Sequence, residues 1–173
     1  MLAIGSDHRG LALKTRLRAW LQGRHRGVCD LGAFSTEPVD YPDIAIPAAE
    51  VVRDRLVERA VLICATGVGM AIAANKVPGI FAATVTDVAT ARAARCSNNA
   101  QIICLGAEVV PFDLATEIID AWLSAAFQGG DSLRKLDKIR AAERRYHGVA
   151  PLGIAPHPEP GRCAVPSQSP AGV

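Results

Sequence analysis

The feature that most restricts this chain is an alternation. Five short, β-rich apolar runs, Leu2 to Gly5, Gly27 to Leu31, Arg59 to Ala65, Gly79 to Val85 and Gln101 to Leu105, are separated by longer segments of helical period. Strands joined through helices cannot pair as hairpins; they pair in parallel, and the helices cover both faces of the resulting sheet. The expected fold class is α/β, a Rossmann-like three-layer αβα sandwich around a five-stranded parallel sheet.

The intervening segments fit that scheme. The first helix carries Leu13, Leu17, Trp20 and Leu21 on one face with Lys14, Arg16 and Arg18 opposite, and Leu114, Ile118, Trp122 and Leu123 repeat the pattern near residue 120. Both tryptophans read as packing residues. Further helices are expected from about Pro42 to Leu56 after Asp40, Val68 to Lys76 after a glycine turn, Val88 to Ser97 after Asp87, and Leu133 to Tyr146. Beyond Gly148 the pattern stops: six of the eleven prolines lie between Pro151 and Pro170, with few aliphatic residues to pack. The division expected is a single domain over 1–148 and a Pro-rich, disordered tail over 149–173.

Composition excludes several classes of function. A formal net charge of +2, with basic residues scattered along helices, does not suit nucleic acid, whereas a small anionic ligand remains open. The longest apolar runs are strand-length, far short of a membrane span. Met1 leads straight into Leu2-Ala3-Ile4 without the basic region and cleavage site of a secretory signal, so a cytoplasmic location is expected. Cys29, Cys64, Cys96, Cys104 and Cys163 are odd in number and form no C-x-x-C pair, which points to reduced thiols. The histidines His8, His25, His147 and His157 show no metal-ligand spacing, so neither metal nor cofactor is expected.

The strongest chemical signal is Leu62-Ile63-Cys64-Ala65-Thr66-Gly67-Val68-Gly69-Met70, a buried strand ending in a thiol, a hydroxyl and two glycines where a helix begins. Such a turn aims backbone N–H groups at one spot and suits an anion or an oxyanion. A thiolate at Cys64 would be stabilised by the same dipoles and could act as base or nucleophile; taken alone, this stretch reads more readily as a buried structural cysteine. A dinucleotide fingerprint does not fit, because Ile72 stands where the third glycine would be and the turn belongs to the third βα unit. Two further clusters follow strands at the carboxyl edge, where open α/β sheets bind ligands: Asp7-His8-Arg9-Gly10, and Asp40-Tyr41-Pro42. His8 can cap the following helix or face a ligand, Asp40 can be an N-cap, and the Tyr41 phenol can reach a sugar hydroxyl.

Taken in order, Asp7-His8-Arg9-Gly10, Asp40-Tyr41-Pro42, Ile63 to Gly69 and Ala73-Ala74-Asn75-Lys76-Val77-Pro78-Gly79-Ile80 resemble the ribose-5-phosphate isomerase B family, which includes the galactose-6-phosphate isomerase subunits. The resemblance covers about 1–147. It implies an aldose–ketose isomerase working through a cis-enediolate without a metal, and a homodimer with its sites at the interface, pairing into tetramers being left open. Carried over, Cys64 is the proton-shuttling base. Gly67, Val68, Gly69 and Met70 form the anion hole, Thr66 and Tyr41 orient base and substrate, Asp7 holds sugar hydroxyls and His8 faces the phosphate.

Three departures bear on the substrate. Ser97 in Ser97-Asn98-Asn99-Ala100-Gln101 stands where ribose-type members carry a ring-opening histidine, and a serine cannot serve as that acid–base group at neutral pH. The stretch resembles the branch that isomerises erythrulose phosphates, whose four-carbon aldose, esterified at O4, closes no furanose ring. Glu108, Asp131 and Lys135 stand where arginines bind phosphate in the family, which leaves Lys135 as the direct candidate, with Arg9, Arg134 and Arg140 close by in sequence. Finally, Asp7-His8 is of the ribose type, although Ser97-Asn98 is not. The expected reaction is ribose 5-phosphate to ribulose 5-phosphate. The alternatives are a tetrose phosphate, or a non-catalytic sugar-binding relative, which would have no need of Cys64 and Thr66.

Overall fold

The computed structural model describes residues 1–24 and 27–149. The elements run β1 (Leu2–Ser6), α1 (Leu11–Gln22), β2 (Val28–Asp30), α2 (Tyr41–Arg53), β3 (Arg59–Cys64), α3 (Val68–Ala74), β4 (Ala82–Thr84), α4 (Val88–Cys96), β5 (Ile102–Gly106), α5 (Phe112–Ser124) and α6 (Asp131–Tyr146). All strand pairs are parallel, in the order β2-β1-β3-β5-β4. The α/β sandwich read from the alternation is the fold observed. Apart from Val149, the tail expected over 149–173 lies outside the described residues.

Side-chain alternation along the central strands divides the core into two layers. Ile4, Val61, Ile63, Ile103 and Leu105 pack with Leu13, Leu17 and Leu21 of α1, Ala91 and Ala94 of α4, and Ile118 and Trp122 of α5. Ala3, Leu62, Cys64, Ile102 and Cys104 pack on the other face with the alanine-rich α2 and α3. Cys64 thus faces the α2/α3 layer. Chain winding reverses after β2, since β3 returns to the far side of β1, and this sets the crevice between the carboxyl ends of β1 and β3 as the place for a ligand.

Two local readings change. Lys14, expected opposite the core, is only 2 % exposed, because its ammonium reaches the Asp30 carboxylate and the Ala33 carbonyl, each at 2.6 Å. The fourth strand shortens to Ala82–Thr84: Gly79 turns through φ +84°, its amide donates to Glu143, and the Asn75 side chain grips the backbone of Ala82. The packing role read for both tryptophans holds: Trp122 is fully buried, its indole donating to the Ala100 carbonyl at 3.1 Å, and half-buried Trp20 packs against the same core. At the caps, Asp87 accepts from the Thr90 amide at 2.8 Å, but Asp40 occupies the N-cap of α2 without a side-chain bond. No helix among the described residues is long and apolar enough to cross a membrane.

Candidate active site

Three chain segments meet at the carboxyl ends of β1, β3 and β5, and they meet backbone to backbone. A Cβ on Gly10 would lie 2.6 Å from the Ile63 carbonyl oxygen. One on Gly67 would lie 2.9 Å from the Leu105 carbonyl carbon, and one on Gly106 would lie 2.8 Å from the Thr66 backbone. Gly67 has in addition φ +80°, the left-handed conformation that lets β3 turn sharply into α3. These positions admit nothing larger than glycine without displacing main chain.

Cys64 ends β3, 5 % exposed, and the Gly67 amide donates to its sulfur at 3.1 Å. The amides of Val68, Gly69 and Met70 open α3 and, as first-turn groups, have no acceptor within the helix. The Val68 amide makes a long contact, 3.4 Å, with the hydroxyl of exposed Thr66. The ring of Tyr41 lies on the Cα of Gly69, where an added Cβ would come within 2.9 Å of it, so the first residue of α2 walls the turn. Deeper on the same face, burial pushes the Cys104 thiol well up, and the neighbouring Cys64 adds to the shift, so Cys104 stays protonated and inert.

The β1 loop closes the crevice from the other side. Asp7 is buried; its amide donates to the Ile63 carbonyl, and its carboxylate accepts from the Gly10 amide at 2.9 Å. His8 Nδ1 lies 3.2 Å from both the amide nitrogen and the carbonyl oxygen of Val39, so in either tautomer it ties to the loop before Tyr41 through Nδ1 and leaves Nε2 for a ligand. Arg9 pairs with Glu108, which spends its charge on a carboxylate and joins the β1 loop to the β5 loop.

Beneath this loop is a network that the sequence did not disclose. Asp30 accepts from Lys14, from Arg18 at 2.7 Å and from the Gly32 amide at 3.0 Å, while Gly32 and Ala33 are bonded to Ser6. Burial alone would raise the Asp30 pKa, but the Lys14 hydrogen bond, the Gly32 amide, the Lys14 charge and the Arg18 hydrogen bond hold it below the usual carboxylate range. The only available signal was the acid ending the second strand; a lysine at helical spacing among leucines looks like a solvated residue.

The structure therefore brings together Asp7, His8, Tyr41, Cys64, Thr66 and the turn Gly67 to Met70. It does not bring Ser97, Asn98 or Lys135 to them. Ser97 ends α4 and precedes β5, whose first residue pairs with Ala60, whereas Cys64 pairs with Gly106 at the other end. The two edges are separated by roughly 13 Å of strand. Helix α6 borders the same amino edge: Gln128 bonds to the Cys96 carbonyl, and Glu143 bonds to Gly79.

The family model for ribose/galactose isomerases matches residues 2–139. The chain belongs to the ribose/galactose isomerase family. It is 45% identical to the D-erythrulose-4-phosphate isomerase of Pectobacterium atrosepticum over 142 residues, 80% of this chain and 91% of that one. To the ribose-5-phosphate isomerase B of Escherichia coli it is 40% identical over 144 residues, 83% of this chain and 97% of that one. Among solved structures, a ribose-5-phosphate isomerase B from Clostridium thermocellum superposes with a TM-score of 0.83 at 46% identity, covering 84% of this chain and 98% of that one. As a ribose/galactose isomerase the chain is an enzyme, an aldose–ketose isomerase of the sugar-phosphate class.

Proposed function

We propose that this isomerase interconverts ribose 5-phosphate and ribulose 5-phosphate by proton transfer at Cys64. The observation that carries the reading is the Gly67 amide 3.1 Å from the Cys64 sulfur, at the mouth of a turn whose next three amides are unengaged within the helix. With the open-chain aldose bound, the Cys64 thiolate removes the C2 proton and the electron pair moves into a C1–C2 double bond. The cis-enediolate charge on O1 and O2 lies against the first-turn amides, which are already oriented before the charge develops. The thiol returns the proton to C1 while a proton moves from O2 to O1, and the ketose results. Asp7 and Tyr41 hold hydroxyls, His8 Nε2 meets the phosphate, and Thr66 orients the base.

The reading includes a second copy of the chain. Ser97 and Asn98 lie a strand's length from Cys64 in one chain and Lys135 is on α6, which borders the same edge, so a partner packed in the opposite sense would present them to Cys64. Tyr41 and Ile46 on α2 and Val68 and Ile72 on α3 are exposed on adjacent helices, and α6 buries only Leu136. This apolar face and thinly packed helix are what a homodimer with shared sites would cover.

Ser97 favours a second reading, a tetrose phosphate, since the chain lacks the ring opener and is 45% identical to an erythrulose-4-phosphate isomerase. Initial rates on ribose 5-phosphate and on erythrulose 4-phosphate, each with and without EDTA, test both. Chelator-resistant turnover of the pentose phosphate is expected; a higher kcat/KM on the tetrose transfers the assignment, and no turnover of either removes it. Ser97→His should then raise the rate on ribose 5-phosphate more than on the tetrose; an equal effect on both rejects the ring-opening explanation.

A further inference from the structure

At the amino edge of the sheet a cavity of about 560 Å³ is lined by Arg53 at the end of α2, Arg55 just after it, Arg59 at the start of β3, Arg95 on α4 and Arg140 on α6. The single carboxylate in its wall, Glu58, faces the amino group of Met1 at 3.3 Å. Arg53 is paired with Asp54 and Arg140 with Asp137, each at 2.9 Å, but among the described residues no carboxylate pairs with Arg55, Arg59 or Arg95.

Two of these three are withdrawn from water. The Arg59 guanidinium donates to the carbonyls of Trp122, Leu123 and Ala125 at the end of α5 and stacks 5.3 Å from the Trp122 ring. Arg95 donates to Asn99 at 2.6 Å, yet its Nε is buried with no partner. Burial lowers the pKa of both, and for Arg59 the adjacent Arg95 charge lowers it further. Like charges gathered in a partly desolvated hollow, with a donor unmet, are stabilised by an anion that accepts from them.

We propose that this cavity is a second anion site, separate from the Cys64 crevice, that takes a small phosphorylated molecule. Its volume is in the range of small-ligand sites, and it is concave, whereas an extended polyanion would need an open basic stripe. Arg55 and Arg95 supply the guanidiniums that the phosphate oxygens take up; Val57 and Ile80 supply an apolar wall for the organic portion. Within one chain the cavity lies at the far end of β3 from Cys64, so occupancy does not compete sterically with that chain's catalytic turn.

Pyrophosphate is the probe, titrated into the full-length protein by calorimetry and thermal shift, with sodium chloride matching ionic strength. A saturable response is expected in the wild type and in His8→Ala, with affinity at least tenfold weaker in Arg55→Gln and in Arg95→Gln. Without pyrophosphate, both arginine variants should keep the wild-type KM for sugar phosphate. Undiminished binding in the arginine variants, or loss of binding in His8→Ala, overturns the proposal. So does a raised KM in Arg55→Gln, which would make the cavity part of the substrate site. Arg55 is exposed, so its variant decides the matter alone if Arg95→Gln does not fold.

Discussion

Cys64 and the glycines around it make separable contributions to structure and to chemistry. Cys64→Ala removes the proposed base and one buried sulfur, so kcat should fall by about 10²–10⁴ while the melting temperature barely moves; a variant retaining near-normal kcat removes Cys64 from the mechanism. Gly67 and Gly69 are two residues apart but should fail differently. Alanine at Gly67 takes a left-handed φ and drives its Cβ into the β5 backbone, which cannot retreat; a loss on the order of 2–4 kcal/mol in denaturant titration is expected. Alanine at Gly69 meets only the half-exposed Tyr41 ring, which can swing outward. Stability should change little and KM should rise, and a Gly69→Ala protein as unstable as Gly67→Ala would show that Tyr41 is held more firmly than its exposure implies.

At the scale of elements, the buried Lys14–Asp30 pair ties α1 to the end of β2 and so fixes the loop that carries Val39 and Tyr41. Asp30→Asn leaves the buried Lys14 ammonium with neutral acceptors only and no compensating charge from residue 30, and should cost about 3–5 kcal/mol. Lys14→Met leaves Asp30 with Arg18 and the Gly32 amide and should cost less; the reverse order in urea denaturation rejects this account. Because the folded-state pKa of Asp30 is depressed, its contribution is present above the unfolded value near 4 and is lost as pH falls through the lower folded value. Acid titration should accordingly show a loss of stability below about pH 4 that Asp30→Asn lacks. Elements of this kind also mark how far the sequence could be read. Strand and helix order followed from periodicity, and the Cys64 turn from its glycines, because both are local patterns. Lys14 was misplaced because a pairing sixteen residues away leaves no trace in helical spacing, and β4 was overestimated because its entry is set by side chains outside the strand, nearby Asn75 and distant Glu143. Gly10 and Gly106 acquire their importance only where strand ends touch.

For the whole molecule, the question is whether Ser97, Asn98 and Lys135 of one copy complete the proposed Cys64 site of another. If sites are shared between two copies, Cys64→Ala and Lys135→Ala chains are each inactive or impaired as homodimers. After mixing and refolding they should regain up to about one quarter of wild-type activity, since half the dimers are mixed and each restores one of two sites. Activity of the mixture no greater than the average of the two parents rejects the shared site. The same face can be assessed by sedimentation, in which Ile72→Asp should shift the protein toward monomer and lower activity together.

The glycine contacts at the strand ends have a consequence for how such an enzyme can change its substrate. The floor of the crevice, where Gly10, Gly67 and Gly106 press on neighbouring main chain, tolerates no larger residue at those positions, so the proposed proton-transfer turn is shielded from ordinary substitution. What can vary is the rim, His8 and Tyr41, together with residues such as Ser97 if a second copy supplies them. A scaffold of this kind keeps one reaction and renegotiates only the length and closure of the sugar presented to it, which is the pattern expected where relatives of one fold are named for ribose and for erythrulose phosphates.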